Sequence, residues 1–207
     1  MNYQEALAYL EELNAFGSKL GLVRIQRLLE LMGQPQNRYR TVHVTGTNGK
    51  GSVSVMTAGI LNRSGIRTGL YISPHLVSYT ERMQVDGQPI SQDDFADCLG
   101  AVRVFAEQMI EEGEESPTQF EVLTAVIEVG LGGLLDSTNV ITPEVSVITN
   151  VTLEQADRCG GTLDGVAHHK AGIIKEGVPV VTAAVGEPLA VLQQTAAEKN
   201  ADIFVAG

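Results

Sequence analysis

The chain has 207 residues, 43% of them hydrophobic and 19% charged, with a formal net charge of −11. That composition is globular rather than disordered, and its acidic balance argues against wrapping nucleic acid. No apolar run reaches the ~18–20 residues of a bilayer-crossing helix, and Met1–Glu5 lacks the features of a signal peptide, so neither membrane nor secretion is expected.

Taken in chain order, the first stretch reads as helix, Gly-rich break, helix. Ile25, Leu28, Leu29 and Met32 fall at i, i+3, i+4 and i+7, and Gly33 and Pro35 stop the run. Thr41–Val44 is a short β-branched strand. An amphipathic helix follows from Lys50 through Val53, Met56, Ile60 and Leu61 to Gly65, then a strand over Thr68–Ile72. Strand, glycine turn, helix and strand make a βαβ unit, from which parallel pairing is expected. Further strands are expected at Val126–Val129, Val145–Thr149, Val178–Thr182 and Ile203–Val205, and helices near Gln92–Glu112, Leu163–Lys175 and Leu189–Lys199. The alternation predicts an α/β fold, a doubly wound and mostly parallel sheet carrying a phosphate loop. One junction is locally inconsistent: Phe120–Ala125 begins like a helix yet runs without a stop signal into the strand at Val126. Glu111, Glu112, Glu114 and Glu115 read as a solvated loop, with metal binding a distant second. Cys98 and Cys159 are far apart and fit no metal or disulfide pattern, so a reducing cytoplasm is the expected location.

Gly46-Thr47-Asn48-Gly49-Lys50-Gly51-Ser52 carries the chemistry. Glycines allow a tight turn and close approach of backbone N–H groups to an anion. The following helix adds the positive end of its dipole, and Lys50 supplies a point charge for terminal phosphates. The placement, between a strand ending at Val44 and a helix starting near Ser52, is the one a phosphate loop requires. The Walker pattern fails twice: Val44 stands in place of its first glycine, and Gly51 follows the lysine where Ser or Thr is usual. A plain glycine-rich turn is the bland alternative.

Val42–Ser52 closely resembles the loop of folylpolyglutamate and dihydrofolate synthases, members of the ATP-dependent Mur ligase superfamily. Further matches follow in order: Tyr3–Pro35, Tyr71–Leu76, Glu81-Arg82-Met83 with Ile90-Ser91, Glu128–Gly133, Asp136–Asn139 and Lys170–Lys175. The resemblance implies ATP-dependent amide ligation. A folate or dihydropteroate carboxylate is phosphorylated by ATP to an acyl phosphate, which the amino group of L-glutamate then attacks. It implies that Gly46–Ser52 bind ATP, that Lys50 is the phosphate lysine, and that Ser73 and Glu128 hold Mg²⁺, whose preference for hard oxygen ligands they suit. It further implies that Lys170 is the carbamylated lysine and that Pro74, His75 and Arg82 lie by the folate. Beside these stand the bland readings: His43 is a core histidine before a catalytic one, His75 is either a ligand neighbour or a local hydrogen-bonding partner, and Lys170 is either that functional lysine or simply part of a polar helix face.

The chain also departs from that family's pattern. Glu154-Gln155 replace an Asp-His pair, Leu134 replaces an arginine, and a segment completing a helix before Val126 is missing. The family's C-terminal glutamate-ligase domain is absent from residues 1–207, which are expected to form a truncated ATP-binding domain. A fragment or degenerate copy with little activity alone is therefore expected, with a separately encoded C-terminal domain as possible partner. A non-catalytic nucleotide- or folate-binding protein is the alternative.

Overall fold

The alternation of strands and helices builds an α/β structure in a computed structural model of the chain, which describes residues 1–14, 21–127, 136–154, 159 and 161–206. The chain divides into two compact units, Met1–Arg38 with Ala58–Val129, and Tyr39–Thr57 with Gly130–Gly207.

The first unit contains the helices α1 (Tyr3–Asn14), α2 (Val23–Leu31), α4 (Gln92–Glu111) and α5 (Gln119–Ile127). Their apolar faces bury Leu10 and Leu13, Ile25, Leu28 and Leu29, Phe95, Leu99 and Met109, and Val122 and Leu123. Ser91 caps α4 by accepting from Asp94 N at 3.0 Å, and Asp93 and Asp94 add negative charge to its first turn. The acidic run at the end of α4 is exposed, as expected, and is also held by ion pairs: Arg27 reaches Glu112 and Glu114 at 2.7 and 2.8 Å, and Arg24 reaches Glu115 at 3.3 Å.

The expected strand at Val126 is not formed. Thr118 and Glu121 make a reciprocal capping box, Thr118 N donating to the Glu121 carboxylate at 2.7 Å and Glu121 N to Thr118 Oγ1 at 3.3 Å. The helix nucleated there runs through Val126 and Ile127, since β-branched residues weaken a helix only slightly. Glu128 and Val129 lie outside the described residues, as does most of the break between α1 and α2.

The expected parallel βαβ pairing is also overturned. Strand β2 (Gly69–Tyr71) pairs antiparallel with β3 (Met83–Val85), which pairs antiparallel with β4 (Gln88–Pro89). The cause is local. Asp86 and Gly87, at φ 51° and 79°, form the mirror-image turn that suits a two-residue hairpin, and Asp86 Oδ1 also accepts from Thr68 N at 2.9 Å.

The second unit holds the parallel sheet, in the order β1 (Val42–Thr45), β5 (Val145–Ile148), β6 (Val180–Thr182), β7 (Ile203–Val205). Val42 faces Val145 and Thr45 faces Ile148 in register. Helices α6 (Leu163–Ala171) and α7 (Gly186–Glu198) complete a core of Ile148, Ala171, Ile173, Ile174, Val180, Ala184 and Leu192. Helix α6 is shorter than expected, with Gly172 at its C-cap.

Helix α3 (Lys50–Arg63) forms where expected, but its apolar stripe is not a core face. Met56 and Ile60 are 59% and 66% exposed. Periodicity states which residues share a face, not whether anything packs there. No helix among the described residues is long and apolar enough to cross a membrane.

Candidate functional site

Gly46–Ser52 leaves the carboxyl end of β1 and enters α3 at Lys50, the end of a parallel sheet where ligands bind. Gly46, at φ 150°, packs so closely on the next strand's continuation that an added Cβ would sit 1.8 Å from Thr149 Oγ1. Gly49 turns the chain at φ 80°. Gly51 and Ser52 are exposed at the helix start, where first-turn N–H groups lack intrahelical acceptors.

The loop is strapped to the segment following β5. Thr47 N donates to Asn150 O at 2.9 Å and Asn48 N to Asn150 Oδ1 at 2.8 Å. Thr149 Oγ1 donates to Asn48 O at 2.6 Å, and Thr152 N donates to Thr47 Oγ1 at 3.0 Å. The sequence reading assigned no role to Thr149, Asn150 or Thr152. The available signal was their place at the carboxyl end of a strand that neighbours β1.

Lys50 Nζ donates to Gly46 O at 2.8 Å and to Thr47 O at 3.0 Å. Burial lowers its pKa, while the charges of Asp136 and Glu154 raise it. Asp136 is itself pushed up by burial and held down by bonds from Thr138 and by the Lys50 charge. A half-buried carboxylate therefore acts on the loop lysine, although the sequence reading quoted Asp136 only as part of a matching stretch. Asn48 Nδ2 donates to Glu154 Oε2 at 3.4 Å, and Gln155 lies outside the described residues.

Lys170 on α6 is 7% exposed, so it is not part of a polar helix face. Its pKa is lowered by burial first and then by the Lys50 charge. Burial thus lowers the pKa of both Lys50 and Lys170, and the Lys50 charge lowers that of Lys170 further.

Ser73, Pro74, His75 and Arg82 belong to the first unit. Ser73 and Pro74 are exposed and joined by a cis peptide bond. Arg82 Nε donates to His75 Nδ1 at 2.8 Å, which makes the imidazole a local hydrogen-bonding partner. Tyr79 lies against His75, ring centroids 4.3 Å apart, and Arg82 sits 5.2 Å over the Tyr79 ring. The loop between them is shaped by Glu81, whose carboxylate accepts from Leu76 N, Val77 N and Ser78 N at 2.9, 2.9 and 2.7 Å. Those backbone bonds hold its pKa below the ordinary carboxylate range. Glu128 and Leu134 lie outside the described residues.

The pattern of the Mur ligase middle domain matches residues 44–206. A folylpolyglutamate synthase of Lacticaseibacillus casei is 42% identical over 197 residues, which cover 88% of this chain and 46% of that protein. A solved complex of folylpolyglutamate synthase with AMPPCP and folate matches with a TM-score of 0.90 and 37% identity, over 99% of this chain and 54% of the other. The Mycobacterium tuberculosis folylpolyglutamate synthase, solved with ADP and AMPPCP, matches with a TM-score of 0.87 and 31% identity, over 99% and 50%. The chain spans about half the length of the relatives it matches. With the loop, the parallel sheet and the sequence match in agreement, the chain belongs to the Mur ligase family, through its middle domain.

Proposed function

We propose that this chain is the nucleotide-binding part of a folylpolyglutamate/dihydrofolate synthase-like ligase. Such a ligase joins L-glutamate to a folate or pteroate carboxylate through an acyl phosphate made with ATP. The observation that carries the reading is Lys50, an ammonium caged by its own loop at the start of α3, with the half-buried Asp136 as its electrostatic companion. The cage oxygens are neutral carbonyls, so an incoming phosphate can replace them as acceptor with a gain in charge pairing. Relatives solved with AMPPCP support ATP as the nucleotide.

Gly46–Ser52 would hold the phosphates, and Lys50 would neutralise charge as the terminal phosphoryl group moves. The donor set suits Mg²⁺: Ser73 offers an exposed hydroxyl, and Glu128 would add a carboxylate. Bound there, Mg²⁺ would neutralise phosphate charge. Pro74, His75 and Arg82 would border the folate, on a loop that Glu81 keeps in shape. Lys170 would be the carbamylated lysine, a reading its burial supports, and a carbon-13 carbonyl signal appearing with labelled bicarbonate, and lost in Lys170→Ala, would establish it. The reducing cytoplasm suits the free thiols of Cys98 and Cys159. The remaining half of the ligase would come from further sequence, on this chain or on a second one.

Calorimetry with MgATP tests the reading. Binding that disappears in Lys50→Ala supports it; a folded sample that gives no heat refutes it. A second reading, nucleotide or folate binding without turnover, is favoured by Glu154, whose carboxylate is engaged by Asn48 where the resemblance implies an aspartate. ATP- and glutamate-dependent extension of a folate separates the two.

A further inference from the structure

His43 lies on β1 with no exposed surface, and nothing in the proposed chemistry uses it. Its Nε2 is 3.2 Å from Thr138 Oγ1. Thr138 Oγ1 is in turn 2.6 Å from Asp136 Oδ1, which also accepts from Thr138 N at 3.0 Å. Asp136 is one of the two carboxylates acting on Lys50. Hydrogen bonds therefore link His43, in the sheet core, through Thr138 to Asp136, and the Asp136 charge acts on the loop lysine through space, wholly within the second unit.

Counting protons gives the path a direction. A threonine hydroxyl has one hydrogen, and a neutral imidazole has one N–H. His43 is neutral, because burial and the Lys175 charge push its pKa down to about 3. With its hydrogen on Nε2, His43 donates to Thr138, and Thr138 must give its own hydrogen to Asp136, which accepts as a carboxylate. With the hydrogen on Nδ1, Nε2 must accept from Thr138, and only a protonated Asp136 could complete the bond at 2.6 Å. Nδ1 is buried and has no hydrogen-bond partner among the described residues. A hydrogen there would be a stranded donor carrying its full desolvation penalty, so the Nε2–H tautomer prevails.

We propose that His43 is a positioning residue for the phosphate lysine. Its Nε2–H commits the Thr138 hydroxyl to Asp136, and Asp136, kept as a carboxylate, sustains Lys50 as an ammonium. The proposal rests on the reading of Lys50 as the phosphate-binding group. The other charges facing these groups are Glu154 and Lys170 towards Lys50 and Lys175 towards His43.

Two measurements test it. Nitrogen-15 shifts of the His43 ring and a carbon-13 titration of the Asp136 carboxyl, both without nucleotide, read the relay directly. MgATP affinity against pH reads its consequence for Lys50. The expected tautomer is Nε2–H. His43→Leu and Thr138→Val should raise the Asp136 titration midpoint, move the acid limb of binding to higher pH, and weaken binding near neutrality by about tenfold. His43→Gln, whose side-chain amide can still donate, and Thr138→Ser, which keeps the hydroxyl, should stay near wild type. An Nδ1–H tautomer, or an Asp136 midpoint unmoved in both His43→Leu and Thr138→Val, overturns the proposal. If wild type binds no MgATP, the reading of the site fails, while the two titrations made without nucleotide still decide the relay.

Discussion

Lys50 Nζ donates to the carbonyl oxygen of Gly46, four residues earlier in the same loop, at 2.8 Å. The lysine of this loop is thus occupied by its own backbone, and the carboxylates of Asp136 and Glu154 act on it through space. Stability and ligand affinity should separate at this residue. Lys50→Met keeps most of the stem and removes two hydrogen bonds, while relieving the half-buried charge of its desolvation. Its unfolding free energy should change by no more than about 1 kcal/mol, while MgATP affinity falls by about tenfold or more. Urea denaturation and calorimetry on the same preparation check both halves.

Gly46 is required for a different reason. Its φ of 150° and the 1.8 Å approach of a built Cβ to Thr149 Oγ1 mean that Gly46→Ala must push the loop off the segment after β5. A loss of about 2–4 kcal/mol is expected from strain and overpacking together. Gly51→Ala, whose Cβ would meet nothing within 4 Å, should be nearly neutral in the same denaturation experiment. Equal losses in the two variants would contradict the packing argument.

Glu81 organises the Ser73–Ser78 loop through three backbone N–H groups. Glu81→Ala should therefore speed hydrogen exchange at Leu76, Val77 and Ser78, while the amides of α4 keep their protection. Since its pKa is lowered in the fold, the clasp is present above the ordinary carboxylate range. It is lost only as pH falls through the depressed value.

His43 gives the fold an acid sensitivity of defined sign. Its folded value is about 3 against 6.5 for the free side chain. Unfolded chains take up a proton first, so its contribution is intact above about pH 6.5 and is eroded as pH falls towards 3. The erosion approaches ~1.4 kcal/mol per pH unit. His43→Gln removes that one-proton slope, and the difference between the two chains across pH 4–7, in order-of-magnitude terms, isolates it from the other titrating groups. Parallel curves for wild type and His43→Gln would refute the assignment.

How far the sequence reaches depends on how local the cause is. Ile25, Leu28 and Leu29 lie on one face of α2 and are buried as their spacing required. The strand–loop–helix from Val42 to Ser52 is where the glycines placed it. The error at Val126 came from weighing β-branched residues above the Thr118–Glu121 capping box, a local signal that was present to be read. The error at β2 came from a general preference of βαβ units; β2 pairs instead with β3, which the Asp86-Gly87 turn leads back into β4.

By itself, the sequence determined the family, the glycine-rich loop and the place of Lys50 in it, because these rest on residue types at fixed short spacings. Only the tertiary structure decided what Lys50 is tied to and which groups act on it. Asn150 lies 102 residues beyond Asn48 and His43 lies 95 before Thr138, separations across which no periodicity carries information. Parallel pairing of β1 with β5 closes those distances, and burial in the sheet then turns ordinary side chains into shifted ones. The loop lysine was legible in the chain; its neighbours, Asp136, Thr138 and His43, became so only once the sheet had folded.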